Sequence, residues 1–165
     1  MSRRFLKVVD QLYKAGPLGL RTVTALSRAD AERLPRLPNI AVISITTPGS
    51  EPANLDGFGP LLRLSFADVD FLNPDLPMRA RARLAYSFTK ADAQAIWHFM
   101  ELLPNEYISV VVHCEGGFSR SCAVALALHE EYGFAADLST LKDANPSILQ
   151  LMRTTRPGRL KQAWR

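Results

Sequence analysis

The sequence predicts a single α/β domain, in which a central, mostly parallel sheet of about four to five strands is flanked by helices. Three observations point there. Strand-like and helix-like segments alternate along the chain. Residues 107–112 are almost continuously apolar, as expected of a central strand buried on both faces, and an apolar helical stretch follows after a short loop. Finally, 165 residues, 47% hydrophobic and 22% charged, are enough to bury a core without metal or disulfide staples. The expected core spans about residues 20–155, with a basic C-terminal tail over about residues 153–165.

The elements follow in order. Residues 22–26 read as a modest strand, and Ser27 then caps a short helix through Leu34. Residues 40–45 and 61–66 are short strands rich in β-branched or large apolar side chains. Pro/Gly clusters at Gly16-Pro17, Pro48-Gly49, residues 57–60 and residues 73–77 mark loops. Thr89, with Asp92 three residues on, makes a variant capping box. Ala95, Ile96, Phe99, Leu102 and Leu103 then form one apolar stripe that ends at Pro104. Residues 122–132 are an apolar helix with Gly133 as its terminator, and Asp137 and Asn145-Pro146 cap two final short helices.

Composition excludes disordered, fibrous and disulfide-rich classes. Cys114 and Cys122 are too few for a zinc ribbon or a secreted disulfide framework. No apolar run approaches the ~18 residues of a membrane span, and the N-terminal apolar stretches are too interrupted for a signal peptide. The expectation is a protein of a reducing compartment, the cytoplasm. The net charge of +4 is uneven. Arg153, Arg156, Arg159, Lys161 and Arg165 cluster at the end without an acid among them, and Arg79, Arg81 and Arg83 alternate. A solvated surface accounts for both clusters; attraction to an anionic partner is the alternative.

Chemistry concentrates in His113-Cys114-Glu115-Gly116-Gly117-Phe118-Ser119-Arg120-Ser121, between the strongest strand and its helix. Open α/β sheets bind ligands at such a turn. Backbone N–H groups there, backed by the positive end of the helix dipole, favour an anion. The paired glycines allow successive amides to converge, and the Arg120 fork can hold two phosphate oxygens. The same fields stabilise a Cys114 thiolate, which under a bound phosphoryl group is a nucleophile. Ser121 can donate to the sulfur and ease its later departure, while His113 orders the loop.

His-Cys, five residues, then Arg-Ser resembles the signature of cysteine-dependent protein tyrosine and dual-specificity phosphatases. The local HCEGGFSRS is similar to the form found in the small dual-specificity-like branch of bacteria and phage. Residues 62–69, 88–100 and 144–148 resemble that branch's strand and acid loop, following helix and last helical segment. Gly116 stands where alanine is usual, and Phe118 is bulkier than the common isoleucine or valine. The resemblance implies a phosphatase-like fold with residues 115–120 as the phosphate-binding loop. Cys114 is then the nucleophile, and Arg120 binds phosphate and the transition state. An aspartate on a mobile loop serves as general acid and then base; Asp68 fits best, with Asp70 and Asp75 as alternatives. No cofactor is implied.

The expected reaction is phosphomonoester hydrolysis through phosphocysteine. The substrate is a phosphorylated protein or peptide, most simply a phosphotyrosine protein, with dual specificity open. Enzymes acting on RNA 5′ ends and phosphoinositides share the signature; nucleic acid is not favoured, and residues 115–119 lack the lysines common in lipid-directed relatives. A phospho-binding pseudophosphatase is the alternative from another class, and a rhodanese or arsenate reductase a third. Cys122 reads as a helix-core residue, with a protective disulfide to Cys114 under oxidation as its other role. His98 and His129 lack partners at metal spacing, and Trp97 and Trp164 read as packing.

Overall fold

Helix α1 (Arg3–Leu18) opens the computed structural model, which describes residues 1–157. It has no counterpart among the elements expected from sequence. The Ser2 side chain accepts from Phe5 N at its start, and Gly19, at φ +62°, ends it. Phe5, Val8, Leu12 and Ala15 recur at helical spacing and are buried, so the packed core reaches well before residue 20. The helix also runs through Gly16 and Pro17, where a loop was expected. Pro17 lies in the last turn, and the carbonyl it leaves unpartnered belongs to Tyr13, a residue exposed to water.

Next come β1 (Thr22–Ser27), α2 (Arg28–Arg33), β2 (Ile40–Thr46) and β3 (Leu61–Ser65). They are followed by the short α3 (Met78–Arg81), a 3-10 turn (Leu84–Tyr86), α4 (Lys90–Leu102) and β4 (Ser109–Cys114). α5 (Arg120–Tyr132), a second 3-10 turn (Leu138–Thr140) and α6 (Pro146–Thr155) complete the described chain. The sheet has four strands in the order β1-β4-β2-β3, all parallel. The expected caps are present: Ser27 accepts from Asp30 N, Thr89 and Asp92 form a reciprocal capping box, and Asn145 accepts from Ser147 N and Ile148 N.

Every residue of β4 is buried. Its alternating side chains divide between two apolar clusters. Val110, Val112 and Cys114 face α4, α5 and α6, whereas Val111 packs with Phe5, Val8 and Leu12 of α1 and Ala31 of α2. With helices covering both faces, a strand without polar alternation is what the position demands.

One further expectation is corrected. The basic tail does not begin at Arg153: that residue is inside α6 and makes a two-pronged ion pair with Glu130 of α5, at 2.6 and 2.9 Å. Arg156 lies 3.7 Å from Glu131. The remaining tail residues Arg159, Lys161, Trp164 and Arg165 fall outside the described residues. Arg79 and Arg81 lie on α3, a single helical turn. Among the described residues, no helix is long and apolar enough to cross a membrane.

Candidate active site

β4 ends at Cys114 and α5 begins at Arg120, so residues 115–119 form a tight loop over the C-terminal edge of the sheet. Gly117 sets its shape. It has φ +78°, and a Cβ there would stand 2.5 Å from Ser27 N and 2.6 Å from the Leu26 carbonyl carbon. Only glycine fits so close to the β1 backbone. Gly116 is different: its φ is not positive, and an added Cβ would meet only the Phe118 ring, at 3.1 Å. The expectation that both glycines supply special backbone freedom therefore holds for Gly117 alone.

The folded-back loop presents Gly117 N to Cys114 Sγ at 3.2 Å, and Ser121 Oγ lies 3.1 Å from the same sulfur. Both are groups that can donate to a thiolate. Cys114 itself is buried. Arg120, the first residue of α5, is also buried. Its Nη1 donates to Phe66 O at 2.8 Å and Thr47 Oγ1 at 3.1 Å, which anchors the fork to the ends of β2 and β3. Its Nε is buried without a partner, the lone such side-chain atom among the described residues. A buried guanidinium N–H left unmade is costly, and an oxyanion in the loop would satisfy it. No side chain caps α5, because Ser119 at its N-cap turns its hydroxyl elsewhere.

That hydroxyl goes to Asp68, whose Oδ1 it meets at 2.8 Å. The Asn145 side-chain amide donates to the same oxygen at 2.9 Å and to Val69 O at 3.1 Å. Asn145 N also donates to Ser119 O at 3.1 Å. One buried asparagine thus joins the α6 cap, the aspartate segment and the loop between β4 and α5. Of the three candidate aspartates, Asp68 alone is hydrogen-bonded to the loop. Asp70 accepts from Ser147 Oγ in the first turn of α6, and Asp75 is exposed.

His113 points to the other sheet face, in register with Ser44 on β2, and its Nε2 lies 2.6 Å from Ser44 Oγ. Burial holds its pKa below the usual 6.5, partly opposed by its hydrogen bond to Cys114 O. Neutral and buried, it ties β4 to β2 beneath the loop. Glu115 is exposed, while its carbonyl accepts from Arg28 N at 3.2 Å. Phe118 is 60% exposed at the rim.

Cys122 is a fully buried helix residue whose thiol lies 3.3 Å from both Gly117 O and Thr140 O. Burial, with the nearby Cys114 adding to it, pushes its pKa up to about 11, so it stays a thiol at neutral pH. Both cysteines are free. His129 bonds Phe134 O, and no group of three metal-ligating side chains occurs among the described residues.

Thr47, Phe66, Asn145 and Ser44 were not anticipated in these roles. Asn145 was legible as a helix cap, but its bond to an aspartate 77 positions away had no local signal. Thr47 and Phe66 follow strand ends, where ligand-binding residues of parallel sheets gather, and that rule was the available clue.

No family model matches the chain, and no curated protein does. Among solved structures, the chain is similar to PTPMT1 at 19% identity, covering 87% of this chain and 94% of that one, with a TM-score of 0.47. It is similar to PTPMT1 in complex with PI(5)P at 17% identity over 86% and 94% of the two chains, with a TM-score of 0.49. For human DUSP28 the identity is 15%, the coverage 87% and 95%, and the TM-score 0.46.

Proposed function

We propose that the chain is a phosphomonoester hydrolase working through phosphocysteine, with phosphotyrosine on proteins as its main substrate class. The observation that carries this is the pairing, on one loop, of a sulfur flanked by two donors with a buried guanidinium whose Nε lacks a partner. The loop amides and Arg120 hold the phosphoryl oxygens and take up the charge that spreads over them in the transition state.

In the first step the Cys114 thiolate attacks phosphorus. The P–S bond forms as the ester P–O bond breaks, and the departing oxygen takes a proton from Asp68. In the second, the Asp68 carboxylate removes a proton from water, whose oxygen attacks phosphorus. The P–S bond breaks, inorganic phosphate leaves, and Ser121 donates to the thiolate as it is released. The chemistry needs no metal from this chain's residues.

Hydrolysis of p-nitrophenyl phosphate in reductant and chelator tests the proposal. Wild type is expected to turn over and Cys114→Ser to be inactive. Asp68→Asn should lose about 10²–10⁴-fold in kcat. Turnover that survives in Cys114→Ser would overturn the mechanism. An inert wild type that still binds vanadate would point to a binding module instead.

A further inference from the structure

Residues 78–86 read Met-Arg-Ala-Arg-Ala-Arg-Leu-Ala-Tyr and contain no acid. Neither α3 nor the 3-10 turn after it buries a single residue. Met78 is 87% exposed, Tyr86 59% and Leu84 39%. A segment with this many apolar side chains ordinarily packs them on the body of its own domain; this one leaves them outside. The guanidinium groups are equally unspent. Arg79 and Arg81 have no ion-pair or side-chain hydrogen-bond partner among the described residues.

The segment is tied to the catalytic mouth by its backbone and one arginine. Ala67 N donates to Tyr86 O at 2.7 Å, and Arg83 Nη2 reaches Asp68 O at 3.3 Å. Two more exposed apolar residues adjoin in sequence, or bond through the backbone, partners of Asp68 and Asp70. Phe118 adjoins Ser119, which bonds Asp68, and Leu72 donates its amide to Ser147, the partner of Asp70. The mouth is therefore fringed by projecting apolar groups interleaved with unpaired positive charge.

We infer that residues 78–86, with Leu72 and Phe118 beside them, dock the protein onto an anionic lipid bilayer. A bilayer offers both complements at once: an acidic headgroup layer for the arginines and, a few ångströms deeper, an apolar phase for Met78, Leu84 and Tyr86. A nucleic acid supplies the charge but no phase for Met78 and Leu84. An acidic peptide would need a groove to bury its own apolar groups, whereas these side chains project from separate loops and turns. Docking in this way turns the site toward phosphates carried on the membrane surface. That consequence rests on the proposed hydrolase; the docking itself does not.

Co-sedimentation with vesicles tests it, using phosphatidylcholine alone and phosphatidylcholine with one-third phosphatidylglycerol, at about 0.15 M salt. Wild type should bind the anionic vesicles and not the neutral ones. Arg79→Glu/Arg81→Glu should weaken that binding by about tenfold or more, and Met78→Ser by several-fold. Both variants should keep wild-type turnover of p-nitrophenyl phosphate, since neither touches the loop or Asp68. No binding to anionic vesicles overturns the inference, as does undiminished binding by the double variant or Arg79/Arg81-dependent capture of an acidic peptide without vesicle binding. Vesicle binding by a protein without turnover sustains the docking surface and removes the hydrolase.

Discussion

Asp68 receives two hydrogen bonds on one carboxylate oxygen, from Ser119 and from Asn145. That arrangement holds the aspartate against the loop that follows β4. Asn145 is the better placed of the two donors, since it is itself fixed by capping α6 and by its backbone bond to Ser119. In the proposed mechanism its expected role is to position Asp68 as the proton donor, which differs from a merely structural one in a measurable way. Protonation of the leaving oxygen matters most when that oxygen is a poor leaving group. Asn145→Ala should therefore slow phenyl phosphate hydrolysis about tenfold more than p-nitrophenyl phosphate hydrolysis, and Asp68→Asn should do so in stronger form. Equal losses on the two substrates would mean that Asn145 only supports the fold.

Among the elements, the junction of β1 with the loop decides whether the site assembles. Gly117 presses on the backbone of Leu26 and Ser27, so the edge strand β1 serves as a template for the loop. Both the positive φ and the contact oppose any side chain there. Gly117→Ala should destabilise the protein by about 1–3 kcal/mol and turn the amide away from Cys114, with kcat falling further than stability accounts for. Gly116→Ala meets only a movable ring and should leave urea midpoint and turnover near wild type. A Gly117→Ala enzyme of normal kcat would show that the loop keeps its shape without β1.

Across the whole molecule, the sequence disclosed most where local pattern and tertiary demand agree. The nearly continuous apolar run over residues 107–112 pointed to a central strand, and the capping box at Thr89 forms as its residues predict. α1 escaped because Gly16-Pro17 reads locally as a loop, while the packing of Phe5, Val8 and Leu12 on the sheet overrides that signal. The Ser44–His113 bond was hidden for a different reason: it joins two strands whose pairing follows from the sheet order alone. This bond couples the fold to pH. Burial depresses the His113 pKa in the folded state, whereas in the unfolded chain it returns to about 6.5. Between those values the unfolded chain binds the extra proton, so stability rises with pH across the window. The contribution is complete above pH 6.5 and is lost as pH falls through the depressed folded value. Urea unfolding of wild type and His113→Asn, followed from pH 7.5 to pH 5, measures it. Wild type should lose stability more steeply than the variant below about pH 6.5, and the gap between the two should narrow. A gap independent of pH would mean that His113 takes up no additional proton on unfolding and that the bond to Ser44 acts through packing alone.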